Sequence, residues 1–275
     1  GIVLQTGGNN VIAGNYLGVN LSGTAPFDII GNVVSIQNSA GNIIGGTSGT
    51  TPGGACTGDC NVIVARGGQT VKAGVFVDGV SSTGTQVLGN YIGTNAAGNT
   101  GLGSLVSYGI IVNAGAGTIV GDGSAAGRNV VSGNNTGIQM ASTNGSIAGN
   151  YIGTNAAGSA AIVNTAGGGN NLNHGIALTG ASGMAVVGNV VSGNGTGIIL
   201  SGLGVTNASV RGNFIGVNAT GTAAIANAVD GLLIWNQSNN NTIGGTTPAD
   251  RNVISGNVRD GVSIGPDPLI TNNRV

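Results

Sequence analysis

The residues able to do acid–base or ligand chemistry are few. The acids are eight, all aspartate: Asp28, Asp59, Asp78, Asp122, Asp230, Asp250, Asp260 and Asp267. There is one histidine, His174, and the cations number seven. Glycoside hydrolysis wants two carboxylates about 5–5.5 Å apart in retaining enzymes or about 6.5–9.5 Å apart in inverting ones. Most of these aspartates stand alone in Gly-rich stretches. Asp230 and Asp260 are the exception, since each immediately precedes a glycine that opens the same recurring unit, Gly231 and Gly261. His174 precedes Gly175 in the same frame, and Arg259 adjoins Asp260. One reading makes Asp230, Asp260 and His174 a small polar catalytic site. The other makes Asp-Gly a turn pair whose carboxylate caps backbone amides. In a stack of strands His174 lies two spacings from Asp230, about 10 Å, beyond a hydrogen-bonded dyad.

Metal chemistry is equally thin. One histidine excludes a His-based zinc shell. No cofactor is expected, and Ca2+ is the one cation that the donors admit. Its candidates are Asp59 in a Gly-rich loop and Asp250 beside the Gly244–Thr247 carbonyls. Cys56 and Cys60 flank Thr57, Gly58 and Asp59. A disulfide there would close a small loop and suit an oxidising compartment; two free thiols or a poor metal pair are the alternatives. Trp235 is the single tryptophan and, being unrepeated, the best candidate for a carbohydrate contact.

Composition says why so little chemistry is present. Of 275 residues 57 are glycine and 36 are asparagine, and only 5% are charged, against roughly 25% in an ordinary soluble domain. Gly and Asn are poor helix formers, so a helical protein is excluded. Five prolines without a Gly-X-Y period exclude collagen. A 40% hydrophobic content rich in β-branched residues argues against disorder. A net charge of -1 offers no grip on nucleic acid, and no apolar run reaches the roughly 20 residues of a membrane span. Neither nucleic acid nor membrane insertion is expected.

The elements that must position these residues are repeats. Gly-Asn-Tyr-Xaa-Gly occurs at 14–18, 89–93 and 149–153, and with Phe214 at 212–216. Asn-Val-Ile/Val-Ser-Gly-Asn occurs at 129–134, 189–194 and 252–257 in the same frame. Gly followed by alternating apolar residues opens units at Gly1, Gly74, Gly109, Gly137, Gly175, Gly197, Gly231 and Gly261, and Val33–Ile36 opens a ninth. Each unit holds three short alternating strands between Gly/Asn turns. That predicts an all-β, parallel β-helix of about nine coils, a single domain over 1–275 and a segment of a longer chain or fibre.

Insertions of the form Gly-Thr/Val-Asn-Xaa-Xaa-Gly fall on every second coil, which makes a two-coil super-repeat of 63, 60 and 64 residues between Gly74, Gly137, Gly197 and Gly261. Asn15, Asn61, Asn90, Asn129, Asn150, Asn189, Asn213 and Asn252 then share one position in successive coils, with Asn273 beginning the ninth, and can bond amide to amide. A second column reads Asn20, Arg66, Asn95, Asn134, Asn155, Asn194, Asn218 and Asn257. Tyr16, Tyr91, Tyr151 and Phe214 recur on the coils with insertions, either packed on the insertion or exposed as a platform.

Asn-Tyr-Ile-Gly-Thr-Asn-Ala-Ala-Gly at 90–98 and 150–158, Arg-Asn-Val-Ile-Ser-Gly-Asn at 251–257 and Thr-Ile-Gly-Gly-Thr at 242–246 resemble the right-handed parallel β-helix repeat proteins of the pectate-lyase-like superfamily. More narrowly, they resemble Gly/Asn-rich repeats of large bacterial extracellular proteins. The resemblance implies the fold strongly. It implies function weakly, because that superfamily holds lyases, hydrolases, epimerases, adhesins and phage tail proteins. Relatives often carry Asp where Asn95 and Asn155 stand here, which puts any cation role of that position in doubt.

The expectation is a non-enzymatic extracellular or cell-surface structural or adhesive solenoid. A carbohydrate-active or carbohydrate-binding β-helix is the alternative. The expected partners are a second copy, head-to-tail through terminal coils, and polysaccharide or a cell surface.

Overall fold

The structure, a computed structural model, describes residues 1–66, 72–104, 106–162 and 173–275. Its strands form three parallel sheets of nine, eight and eight strands. The first sheet runs Ile2–Gln5, Val34–Gln37, Lys72–Asp78, Ser107–Val112, Thr136–Met140, His174–Thr179, Thr196–Ser201, Leu232–Trp235 and Val262–Ile264. The second runs from Val11–Ile12 to Thr242–Ile243, and the third from Tyr16–Leu17 to Val253–Ile254. Every strand pairs with its counterpart one coil away, so the chain visits the sheets in turn and climbs about 4.8 Å per coil. This is a right-handed parallel β-helix of nine coils, the hand expected of parallel crossovers.

Alternation decides what faces inward. In the first sheet Ile36, Val75, Ile110, Ile138, Ile176, Ile198 and Leu232 are fully buried in one continuous core. The second sheet contributes Ile44, Val87, Val120, Ile147, Val186 and Val210, and the third Ile63, Ile92, Val131, Ile152, Val191 and Ile215. No coil could bury this surface alone, and stacking makes it one apolar column.

The glycines that open the first-sheet strands answer to close approach. A Cβ on Gly197 would lie 2.4 Å from the Gly231 carbonyl of the next coil, and one on Gly175 would lie 2.7 Å from that of Gly197. Only a residue without a side chain lets the corners stack at strand spacing.

Asparagine supplies the corner between the second and third sheets. Asn15 gives both its backbone N–H and its Nδ2 to Asn61 Oδ1, at 2.9 and 3.1 Å. The same two-pronged bond repeats from Asn61 to Asn90, Asn129, Asn150, Asn189, Asn213 and Asn252. Each Nδ2 from Asn61 onward also bonds a carbonyl of an earlier second-sheet strand, such as Ile12 for Asn61 and Val120 for Asn150. These buried amides are thus satisfied along the rod, as burial demands.

Two sequence expectations need correction. Asn273 does not extend this ladder. It lies at the corner between the first and second sheets, where it accepts from the backbone and side chain of Asn241 at 2.9 and 3.0 Å. The second Asn column also splits. Asn194 bonds Asn227, and Asn227 bonds Asn257, at 2.8–3.1 Å. Asn20, Asn95, Asn155 and Asn218 instead turn into their own insertions and accept from amides four and five residues on. The Gly-Thr-Asn-Xaa-Xaa-Gly spacing makes the asparagine a turn-former there, an alternative the backbone offers to any Asn.

Those insertions are small hairpins, closed by antiparallel bridges Val19–Pro26, Thr94–Gly101, Thr154–Ala161 and Val217–Ala224. They stack directly on one another: Ala96 N–H to Gly23 O at 2.9 Å, Ala156 to Gly98 at 2.8 Å, Ala219 to Gly158 at 2.9 Å. Two coils rise about 9.6 Å, and a hairpin two strands thick fills that height. The two-coil super-repeat therefore follows from the thickness of a hairpin. Each hairpin glycine, with φ of +63° to +69°, lies against the ring of its own coil: Gly23 on Tyr16, Gly98 on Tyr91, Gly158 on Tyr151, Gly221 on Phe214. The repeated aromatics pack on the insertions, and Tyr16 keeps the most exposure.

Candidate functional site

The corner aspartates come first. Asp230 is fully buried and held from the next coil by Arg259, through Nε to Oδ1 at 2.8 Å and Nη2 to Oδ2. The Asp260 amide adds a third bond to Oδ1 at 3.2 Å. Arg259 Nε is also 3.6 Å from Asp260 Oδ2. The hydrogen bond and charge of Asp230 hold the Arg259 guanidinium above its ordinary pKa. A fully buried carboxylate held by a bidentate arginine and a backbone amide is not presented to a substrate and is poorly placed for general-base work. The pair closes a coil-to-coil joint.

His174 lies in the same column with Thr196 between, since His174 pairs with Thr196 and the register carries on to Asp230. Burial pushes its pKa down, and its Nδ1 has no hydrogen-bond partner among the described residues. No carboxylate orients it, so the three candidates do not converge.

The calcium candidates cap their own loops. Asp59 Oδ2 accepts from Ser48 N–H at 2.9 Å. Asp250 Oδ2 accepts from the Thr247 hydroxyl at 2.7 Å and its amide at 3.3 Å, over the 3-10 turn Pro248–Asp250. The Thr247 hydroxyl is the main cause that holds the Asp250 carboxyl below its usual pKa, and Arg211 at 3.3 Å adds to it. Among the described residues no three His, Cys, Asp or Glu side chains gather as a metal shell.

Trp235 ends its first-sheet strand in an outward column. The register aligns it with Ser201 and, one coil further, Thr179. The benzene part of its indole rests on Gly265, where a Cβ would come within 2.3 Å of the ring. It remains 44% exposed, and its Nε1 makes no hydrogen bond among the described residues. Along the same column Gln5 donates to Gln37 at 2.8 Å, and Asp78 follows Gln37. The register continues from Asp78 through Asn113 and Ala141 to Thr179, so this lateral edge carries mostly neutral hydrogen-bonding groups, with one acid, one alanine and one exposed indole.

Sequence reasoning missed a cleft. The loop 46–59 on the second coil and the loop 121–127 on the fourth flank the third coil, which turns its corner at Gly89 without an insertion. Thr50 Oγ1 bridges the loops to Ala126 O at 3.2 Å. Thr50, Thr51, Thr57, Tyr91 and Arg128 line the gap, with the Cys56–Cys60 disulfide in its wall. The Tyr91 hydroxyl donates to Gly54 O, and burial raises its pKa while Arg128 opposes the rise. The gap is narrow, with room for about one water-sized group. A sugar ring cannot enter it, though one oxygen of a ligand in the open mouth can.

No protein-family model matches this chain, and no curated protein matches it. Several solved structures are similar to it in outline. One is the A-module of mannuronan C-5 epimerase AlgE4 from Azotobacter vinelandii, with 13% identity and a TM-score of 0.43 over 96% of this chain and 65% of that one. Another is the enzymatically active domain of bacteriophage CBA120 tailspike protein 2, also 13% and 0.43, over 96% of this chain and 43% of that one. The Dettilon tailspike protein has 16% identity and a TM-score of 0.27, over 99% and 63%. This chain thus spans less than two thirds of each, and its architecture rests on its own strand register.

Proposed function

We propose that this chain is a non-catalytic carbohydrate-binding β-solenoid, a secreted or cell-surface rod that holds extended neutral polysaccharide along the outer edge of its first sheet. The observation that carries this reading is Trp235: an indole backed by Gly265, open on its other side and aligned with Ser201 and Thr179. Aromatic faces stack on the C–H faces of sugars, and neighbouring hydroxyls and amides bond their hydroxyls. A charge-poor surface favours a neutral polymer. Binding without cleavage is supported by the engagement of Asp230 with Arg259, which leaves no pair of free carboxylates at the corner that Asp230 and Asp260 share.

The test is affinity electrophoresis in gels containing dextran, xylan or glucomannan. The wild-type chain should be retarded by at least one, and Trp235→Ala should run as it does in plain gel. Equal retardation of the two proteins removes Trp235 from the account, and no retardation in any gel removes the reading.

A further inference from the structure

Arg128 is a half-buried guanidinium with unused donors. Its Nε bonds Gly149 O at 3.2 Å, and its plane lies over the Tyr151 ring at 4.1 Å. That arrangement fixes the group at the mouth of the cleft. Its two Nη groups make no hydrogen bond or ion pair among the described residues. The flanking loops each carry an acid, yet neither reaches it: Asp59 caps Ser48, and Asp122 caps Ser124 at 2.8 Å. The other described cation–acid contacts are made by Arg66, Arg211 and Arg259. A stacked, partly desolvated arginine facing a small space is an arrangement that oxyanions fit, because the guanidinium fork matches carboxylate and sulfate geometry.

We propose that the Arg128 cleft is a binding site for an oxyanion, a carboxylate or sulfate group, seated on the free Nη donors with one oxygen in the gap between the loops. The cleft owes its shape to the repeat: insertions on alternate coils leave one bare corner between two loops, and Arg128 follows directly from the second of them. The threonine hydroxyls at 50 and 57 already donate to Ala126 O and Gly49 O, and that of Thr51 pairs with Thr57, so the donors for the anion come from Arg128. The site does not depend on Trp235, which belongs to the eighth coil and the first sheet, whereas Arg128 belongs to the fourth coil and the opposite corner.

The experiment is titration of the arginine Nε–Hε nuclear magnetic resonance signals at constant ionic strength, with sodium sulfate, sodium acetate, glucuronate and glucose as probes. The Arg128 signal should move saturably with sulfate, acetate and glucuronate and stay still with glucose. Arg128→Gln should bind sulfate about tenfold more weakly or worse, the scale of one lost charge-assisted hydrogen bond. Arg128→Lys, which keeps the charge and loses the fork, should fall between them. Glucuronate binding several-fold tighter than acetate assigns the anion to a glycan substituent, and equal affinities assign it to free ions. The proposal is overturned if the Arg128 signal moves no more than those of exposed Arg251 and Arg274. It is also overturned if Arg128→Gln binds sulfate as well as wild type does. Either failure leaves the Trp235 reading intact, because that is read by a different residue.

Discussion

The asparagine ladder makes a sharp prediction at Asn150. Its Oδ1 accepts from Asn129 N–H at 3.1 Å and from Asn129 Nδ2 at 2.9 Å. Its Nδ2 donates to Val120 O at 2.8 Å and to Asn189 Oδ1 at 3.1 Å. Asn150→Ala removes all of these. Asn129 Nδ2 keeps Val87 O, and Asn189 Oδ1 keeps the Asn150 backbone N–H. The Asn129 amide is left buried with no acceptor. An orphaned buried donor costs about 1–3 kcal/mol, and the lost bonds around it bring the total to about 3 kcal/mol. Asn155→Ala removes an amide of the same type from the same repeat, but its partners, the Ser159 and Ala160 amides at 2.9 and 3.3 Å, sit in an exposed hairpin. Water replaces the lost acceptor there, so the cost is about 1 kcal/mol or less. A melting point or urea midpoint reads the total loss and not its place in the coil. Native-state hydrogen exchange reads the relevant bond directly. In Asn150→Ala the Asn129 amide should exchange about a hundredfold faster, while Asn155→Ala leaves it unchanged. Unchanged exchange at Asn129, or equal costs for the two variants, would refute the ladder as the source of corner stability.

Three further outcomes follow from particular contacts. Gly197→Ala pushes a methyl to 2.4 Å from the Gly231 carbonyl and should lower the urea midpoint clearly, whereas Gly7→Ala, with nothing within 4 Å, should leave it within error or raise it slightly. A shared large loss would contradict the close-approach argument. His174 has its pKa lowered by burial, so as pH falls below about 6.5 the unfolded chain takes up a proton that the folded chain resists. Stability should therefore decline from pH 7 toward 5 more steeply in wild type than in His174→Gln, and parallel urea curves would contradict that. Replacing Cys56 and Cys60 by serine opens a loop with a sequence separation of 4 and should cost about 2 kcal/mol by chain entropy. An unchanged midpoint would show that the surrounding bonds hold the loop unaided.

The sequence and the fold agree where one position recurs in every coil. Gly197 and its counterparts, and the ladder from Asn15 to Asn252, hold fixed offsets from their strands, so the period alone places them. Asn227, Asn241 and Asn273 escaped because insertions of unequal length stand between each of them and the frame by which such positions are counted. Asn95 and Asn134 looked equivalent because offset says nothing of direction. A hairpin turns the first outward, and a plain corner turns the second inward. The reading of Asp230 with Asp260 as neighbours agrees with the register, yet their chemistry depended on Arg259, whose reach across a coil no spacing reveals. The Arg128 cleft could not be seen for the same reason. It needs two loops 75 residues apart, Asp122 against Thr47, to be adjacent walls, and only stacking brings them together.

Trp235 is the single tryptophan, so its fluorescence reports on the proposed contact with no other emitter of its kind. The decisive measurement is titration of that emission with the polysaccharide that retards the protein, with the polymer's chain length measured before and after. The account predicts a saturable blue shift, absent for glucose alone, and an unchanged chain length after prolonged incubation. Emission that ignores the bound polymer, or a polymer shortened by the protein, would contradict it.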